Sequence, residues 1–139
     1  MNAPTPTATT TMTSLSPNIF VRDIKATIAF YEQLGFQLTM TVPEQSQADP
    51  VWAMMINGGV TVMFQTFDSI GEDLPTISRQ DGGSLLLYIN VRDIRGFFDN
   101  IHSKVRVVKG LEKTFYGATE FSITDNNNYL LTFAENEGE

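Results

Sequence analysis

The chain contains no cysteine and a single histidine, His102, among its 139 residues. Without cysteine there are no disulfides, no thiolate nucleophiles and no cysteine-based metal sites. One imidazole is also too few for a histidine-rich metal centre, because a metal normally needs at least three convergent donors. His102 falls late in a predicted helix, where we expect an imidazole at the helix end or on the surface.

Long apolar runs and basic clusters are missing as well. No stretch approaches the roughly 18 apolar residues of a membrane span, and the N-terminal residues show neither a basic nor an apolar signal region. The 9 Lys and Arg are scattered and the formal net charge is −7, which disfavours nucleic acid as a partner. The acidic balance is compatible with a cationic ligand and equally with an ordinary soluble surface. We expect a cytoplasmic protein that binds neither membranes nor nucleic acid.

What the chain does contain is enough apolar sequence for one core. The hydrophobic fraction is 42%, with 10 Phe, and a single domain of this length buries roughly two thirds of its unfolded surface. Residues 1–13 are rich in Thr, Ala and Pro without periodicity, which predicts a disordered tail. The domain is therefore expected to span residues 14–139.

An internal repeat organises this domain. The tetrapeptide Val-Arg-Asp-Ile occurs at 21–24 and again at 91–94, each time between a strand pattern and a helix pattern, and the strand-like runs 60–64 and 129–133 repeat at nearly the same offset. Two similar units about 70 residues apart indicate a duplication. The predicted modules span about 14–68 and about 84–135, with a linker over 69–83.

Each module is expected to be βαβββ, an α+β unit with a four-stranded mixed sheet covered by one helix. Asp23 and Asp93 are the predicted helix N-caps, and Gly35 is the predicted stop after the first helix. In module 1 the pattern predicts strands over 15–21, 36–42, 51–56 and 60–67 and a helix to about 34. In module 2 it predicts strands over 84–91, 105–108, 119–124 and 129–135, a helix over 94–103, and a loop or irregular edge over 109–116. Two such units predict a curled sheet with a concave cleft and the helices outside.

The chain resembles the vicinal oxygen chelate superfamily, which includes glyoxalase I, extradiol dioxygenases, and fosfomycin- and bleomycin-resistance proteins. The opening Asn-Ile-Phe-Val-Arg-Asp-Ile (18–24) with Phe-Tyr-Glu-Gln-Leu-Gly-Phe (30–36) is close to the family's V-x-D…F-Y…L-G-F pattern. The segments 116–121 and 125–133 follow its closing D-P-x-G-x-x-x-E-L pattern, with Asn126 in place of Pro and Asn128 in place of Gly. The resemblance covers roughly residues 15–135.

This resemblance implies four positions where metal-dependent members hold a divalent cation. Those positions carry Ser16, Met63, Leu86 and Thr132 here, and none supplies the imidazole, carboxylate or thiolate donor that such ligation needs. The implied member is therefore metal-free and cofactor-free, with the drug-sequestering bleomycin-resistance proteins as the known functional type, and with a homodimer as the common assembly.

Strand alternation sorts the residues that would line the cleft. We predict that the ligand-binding wall combines apolar side chains with a few polar groups, a composition typical of ligand pockets: Asn18, Phe20, Met63, Gln65, Tyr88, Glu120, Ser122 and Thr132. The alternative is that these residues face solvent or the other module. Glu120 is the sharpest candidate, because its neighbours carry no charge; it could hold a cationic ligand, act as an acid or base, or pair with a nearby Arg or Lys. The faces of Trp52 and Met54 depend on the length of the turn at 57–59.

The expected function is metal-independent binding of an amphipathic small molecule in a cleft between the modules. Both a cationic and a neutral ligand are compatible with this hypothesis. No catalytic residue is assigned. The alternatives that stay open are a lyase or oxidoreductase of the glyoxalase or dioxygenase type that uses Glu120, Tyr88 or an unrecognised metal site including Glu135, and a module whose open sheet serves only for dimerisation.

Overall fold

A computed structural model describes residues 10–44 and 48–137 of the chain. The predicted tail over 1–13 lies largely outside the described residues, and residues 10–13 carry no helix or strand. Among the described residues no helix is long and apolar enough to cross a lipid bilayer.

The fold is the predicted pair of βαβββ modules. Module 1 contains β1 (Asn18–Val21), α1 (Ile24–Gln33), β2 (Gln37–Val42), β3 (Trp52–Asn57) and β4 (Val60–Thr66). Module 2 contains β5 (Leu86–Asn90), α3 (Ile94–Ile101), β6 (Arg106–Lys113), β7 (Ala118–Thr124) and β8 (Leu130–Asn136). A short helix, α2 (Phe67–Ile70), lies between the modules.

The described strands form two four-stranded sheets with the same topology. Sheet 1 has the order β1-β4-β3-β2 and sheet 2 the order β5-β8-β7-β6. In each sheet the first strand is parallel to its neighbour and the other pairs are antiparallel. Repetition of the strand order confirms the duplication that the sequence predicts.

The two long helices begin at the aspartates that the sequence identifies as caps. Asp23 Oδ1 accepts a hydrogen bond from Ala26 N (3.1 Å), and Asp93 Oδ1 accepts one from Gly96 N (3.2 Å). These carboxylates satisfy amides that have no partner inside the helix. Gly35 follows α1 with φ +96°, a conformation that favours glycine and ends the helix.

The core lies between the helices and one face of each sheet. Alternate strand residues enter it, and α1 contributes a stripe at helical spacing. The sequence predicts Ile24, residues 26–28, Tyr31 and Leu34 on this face, and the structure buries all of them except Ala26, which is exposed. The Thr27 hydroxyl donates to Asp23 O (2.8 Å), so a polar side chain is accommodated on the buried face.

Two elements differ from the predictions. The predicted strand over 105–108 is longer than expected, and the irregular edge that the sequence allows over 109–116 continues it. The result is one edge strand, β6, with two register shifts against β7. The helix α2 was not predicted, since four residues are too few to show a period. Thr66 caps it by accepting from Ser69 N (3.2 Å), and Phe67 and Ile70 are buried.

Candidate functional site

Each sheet buries one face against the helices and leaves the other without a covering layer from its own module. On sheet 1 the second face carries side chains from all four strands, most of them half-buried rather than buried. Residues that pair directly across strands share a face, so the register of the sheet defines rows of neighbouring side chains. We call these two surfaces open face 1 and open face 2.

Open face 1 is mainly apolar and aromatic. One row consists of Val42, Trp52, Gln65 and Phe20, and the adjacent row consists of Met40, Met54, Met63 and Asn18. The turn at Gly58-Gly59 contains two residues, because Asn57 pairs directly with Val60. This turn length places Trp52 and Met54 on open face 1, a position that the sequence left undecided.

A chain of polar hydrogen bonds runs along the edge of this face. Asn18 Nδ2 donates to Gln65 Oε1 (2.9 Å), Gln65 Nε2 donates to Ser69 Oγ (3.1 Å), and Ser69 Oγ donates to Thr66 O (2.9 Å). Thus two of the predicted site residues, Asn18 and Gln65, are bonded to one another. The Asn18 Oδ1 atom is buried and has no hydrogen-bond partner among the described residues.

Open face 2 carries an aromatic and acidic cluster. Tyr88 on β5 donates a 2.5 Å hydrogen bond to Glu120 Oε2 on β7, two strands away. The strand between them presents Thr132 and Ala134, which are only 5% and 1% exposed. Because these side chains are small, the tyrosine can extend over β8 to the carboxylate, across about 10 Å of sheet.

A second tyrosine shares the same carboxylate oxygen. Tyr116, in the turn between β6 and β7, donates a 2.5 Å hydrogen bond to Glu120 Oε2. Bonding to Glu120 raises the pKa of Tyr88 to about 12 and also raises the pKa of Tyr116, because loss of either proton would place two negative charges together. The sequence analysis did not identify Tyr116, which falls in the segment predicted as a loop or irregular edge. Its position four residues before Glu120, with a turn-forming Gly117 between them, could have indicated that the two side chains meet.

The partners of Glu120 are neutral. Among the described residues its carboxylate makes no salt bridge, so the alternative of direct pairing with an Arg or Lys is not seen. The basic residue on the neighbouring edge strand, Lys109, instead forms a 2.6 Å salt bridge with Glu112. The Phe115 side chain, next to Tyr116, is 99% exposed. A carboxylate framed by aromatic rings and lacking a direct cation is suited to a positively charged ligand group.

The predicted site residues therefore fall into two groups. Asn18, Phe20, Met63 and Gln65 lie on open face 1, and Tyr88, Glu120, Ser122 and Thr132 lie on open face 2. Within each group the structure brings pairs together, including a 2.8 Å hydrogen bond between Ser122 and Thr132 hydroxyls. Thr132 lies on the predicted face, but it is buried and its hydroxyl is already bonded.

Two cavities lie where the modules meet. One, of about 560 Å³, is lined by apolar groups from both modules, including Leu34, Val60, Ile89 and Phe97. The other, of about 550 Å³, includes Tyr31, Thr61, Leu86 and Tyr88. Of the predicted site residues, Tyr88 lines the second of these cavities.

The positions where metal-dependent relatives bind a divalent cation do not fit such an ion here. Ser16 is exposed ahead of β1, Leu86 is an alkyl group that is 44% exposed, and the Thr132 hydroxyl is bonded to Ser122. Within the described part of the chain no group of three or more His, Asp or Glu side chains could hold a metal.

Two residues considered for a metal site have other contacts. Glu135 accepts hydrogen bonds from Asp93 N (3.0 Å) and Ile94 N (2.9 Å) at the start of α3. His102 caps the end of α3, where its ring stacks on Phe98 at 5.1 Å. The predicted helix-end position of His102 is confirmed.

The family model described as Glyoxalase/Bleomycin resistance protein/Dioxygenase superfamily matches residues 11–133. The chain belongs to this superfamily. The match covers both modules, so the duplicated βαβββ fold and the family assignment agree. None of the curated proteins compared with the chain is a significant match.

Solved structures share the fold at low sequence identity. TioX from Micromonospora sp. ML1 superposes with a TM-score of 0.72 at 19% identity, covering 90% of this chain and 99% of TioX. A bleomycin resistance determinant encoded on transposon Tn5 gives a TM-score of 0.64 at 24% identity, covering 91% and 100%. A bleomycin-binding protein in complex with bleomycin gives 0.62 at 22% identity, covering 91% and 100%.

Proposed function

We propose that this superfamily member is a cytoplasmic binding protein that sequesters an amphipathic small molecule with a positively charged group. The observation that carries the proposal is the Glu120 carboxylate, which is held by two tyrosine hydroxyls and has no cationic partner among the described residues. Such an arrangement fixes the carboxylate in place while leaving its charge available to a ligand.

The proposed ligand also needs an apolar surface, and open face 1 supplies one in addition to the negative charge of Glu120. Open face 1 offers Trp52, Phe20 and a row of methionines for contact with a flat or flexible apolar group. In the proposed binding mode the ligand's apolar part contacts open face 1 and its cationic group contacts Glu120 on open face 2. The formal net charge of −7 favours association with cations in general.

We further propose that a homodimer completes the cleft. Several large apolar side chains on or beside the open faces are about half exposed in the single chain, among them Met40 (52%), Val42 (49%), Tyr88 (49%) and Leu86 (44%). These side chains form one exposed apolar pair on β2 and another on β5, and exposed apolar patches mark interaction sites. Light scattering of the purified protein tests the assembly, and a strict monomer would contradict this part of the proposal.

The ligand hypothesis is supported by the bleomycin complex of a structural neighbour, and bleomycin is therefore the first probe. A matched probe pair isolates the charge: 4-phenylbutylammonium and the neutral 4-phenylbutanol. We expect bleomycin or the ammonium probe to raise the Tm and to bind less tightly as salt increases, since exposed charge pairs are screened.

Two variants locate the binding site. Glu120→Gln should weaken binding of the ammonium probe by about tenfold, equivalent to roughly 1.4 kcal/mol, with little effect on the neutral alcohol. Glu32→Gln, which removes an exposed carboxylate on α1 of module 1, is the control and should leave binding unchanged. Equal loss in both variants, or no binding of either cationic probe to the native protein, would reject the proposal.

A further inference from the structure

Three methionines form a continuous row across open face 1. Met40 pairs with Met54, and Met54 pairs with Met63, so the side chains come from three adjacent strands and lie on the same face. The chain has 6 methionines, and half of them occupy this single row. Directly paired residues have Cβ atoms about 4.5–5.5 Å apart, a spacing from which flexible thioether side chains can converge on one point.

The row ends at a polar atom that lacks a partner. Asn18 pairs with Met63, and its Oδ1 atom is buried without a hydrogen bond among the described residues. The direction of the neighbouring hydrogen bonds fixes which atom this is. Since Ser69 Oγ donates to Thr66 O, it accepts from Gln65 Nε2, and Gln65 Oε1 therefore accepts from Asn18 Nδ2. The unpaired atom is thus an acceptor, and it calls for a positive partner.

We propose that Met40, Met54 and Met63 form a thioether site for a soft monovalent cation of the Cu(I) or Ag(I) class. The Asn18 amide oxygen is a hard donor, so it contributes negative partial charge beside the row and is not one of the preferred ligands. Thioether sulfur is a soft donor that favours Cu(I) over the hard divalent ions. The absence of suitable ligands for a divalent metal among the described residues therefore does not argue against a soft monovalent ion at the methionines. Leucine or isoleucine would provide a similar apolar surface without these donors. The acidic chain further concentrates cations near the surface.

The soft-metal site shares the methionine row with the apolar surface proposed for an organic ligand. Its donors all lie on sheet 1, whereas Glu120, Tyr88 and Tyr116 lie on sheet 2 or its β6–β7 turn. The Glu120 carboxylate therefore distinguishes the two proposals. A Glu120→Gln variant should keep its affinity for Ag(I) while losing affinity for 4-phenylbutylammonium, so failure of one proposal is distinguishable from failure of the other.

The test is a titration of the full chain, labelled with methyl-¹³C methionine, with silver nitrate as the source of Ag(I). We expect one equivalent of Ag(I) to shift the methyl signals of Met40, Met54 and Met63, while the signals of exposed Met12 and core Met55 stay in place. Met54→Leu and Met63→Leu keep the apolar volume and should each weaken Ag(I) binding by about tenfold or more.

Met12→Leu is the matched control and should leave the Ag(I) affinity unchanged. A thermal melt establishes that each leucine variant is folded, because such swaps of similar volume are tolerated best. The proposal would be overturned if Met12 responded as strongly as the row, if the three row signals did not move, or if Met54→Leu bound Ag(I) as tightly as the native chain.

Discussion

Tyr31 donates a 2.6 Å hydrogen bond to Asp125 Oδ2, joining α1 of module 1 to the β7–β8 turn of module 2. The other carboxylate oxygen of Asp125 accepts from two backbone amides of its own turn, Asn127 N (2.8 Å) and Tyr129 N (2.9 Å). Asn127 in turn donates to the Thr27 hydroxyl on α1 (3.0 Å). The opening and closing family motifs are therefore connected by a buried polar network that fixes one module against the other.

Tyr31→Phe should reduce the free energy of unfolding by about 1–3 kcal/mol, because it leaves Asp125 Oδ2 buried without its donor. The aromatic packing of the ring against Phe64, at 4.7 Å between centroids, is retained in the variant. Urea denaturation monitored by Trp52 fluorescence measures the change. Ser103→Ala, which removes an exposed hydroxyl after α3, is the control and should change stability by less than about 0.5 kcal/mol.

The cost of Tyr31→Phe should depend on pH. Burial raises the pKa of Asp125, and the hydrogen bond from Tyr31 opposes that rise. A carboxyl whose pKa is higher in the folded state destabilises the fold above that pKa, and this penalty is relieved as pH falls toward the unfolded value. Removing the Tyr31 hydroxyl raises the folded pKa further, so the stability difference between variant and native protein should shrink as pH falls from neutral toward the unfolded pKa of the carboxyl. A constant difference would show that the network does not involve an ionised Asp125.

The Glu120 cluster has its own titration signature. Because its hydrogen bond to Glu120 raises the pKa of Tyr88 to about 12, Tyr88 should ionise later than a free tyrosine, and Glu120→Gln should return it toward 10. A raised tyrosine pKa contributes stability that is present below the unfolded pKa and is lost as pH rises through the folded one. NMR of ¹³Cζ-labelled tyrosine follows the proton directly, and an unchanged Tyr88 titration in Glu120→Gln would contradict the assigned contact.

Glu135 should act as a structural cap. It accepts from Asp93 N and Ile94 N at the start of α3, where unpaired amides and the helix dipole favour a carboxylate. Glu135→Ala should lower stability by about 0.5–2 kcal/mol, while Glu32→Ala on the exposed face of α1 should change it by less than about 0.5 kcal/mol. Chemical denaturation of both variants gives the comparison, and equal effects would argue against a capping role.

The fold was predictable because its signals are local and repeated. Asp23, Gly35 and Asp93 each mark a helix boundary by a mechanism that acts within a few residues, and the structure confirms all three. The extent of β6 was left open, as a loop or an irregular edge over 109–116, since its pairing with β7 tolerates two register shifts that no short-range pattern shows. The helix α2 depends on burial of Phe67 and Ile70, which is a property of the assembled module.

From the sequence, strand alternation could predict which face of each sheet the candidate site residues occupy, but not which of them contact one another. Alternation placed Glu120 and Tyr88 on one face, but their contact requires small side chains at Thr132 and Ala134 on the strand between them. The role of Tyr116 depends on how a turn folds back over the sheet. Placement of Trp52 and Met54 depended on whether the turn before β4 has two residues or three, which the sequence Asn-Gly-Gly does not determine.

The linker between the modules packs closely against the β7–β8 turn at Gly82, and a substitution there tests whether this contact contributes to stability. Gly82 has φ +75°, and a Cβ at this position would lie 2.5 Å from the backbone oxygen of Asn128 in the β7–β8 turn. Gly82→Ala should therefore cost about 1–3 kcal/mol or more, since both the backbone conformation and the close approach oppose it. Gly83→Ala meets no atom within 4 Å and should leave the Tm unchanged or slightly higher. If the two variants had the same Tm, the contact between the linker and that turn would make no measurable contribution to stability.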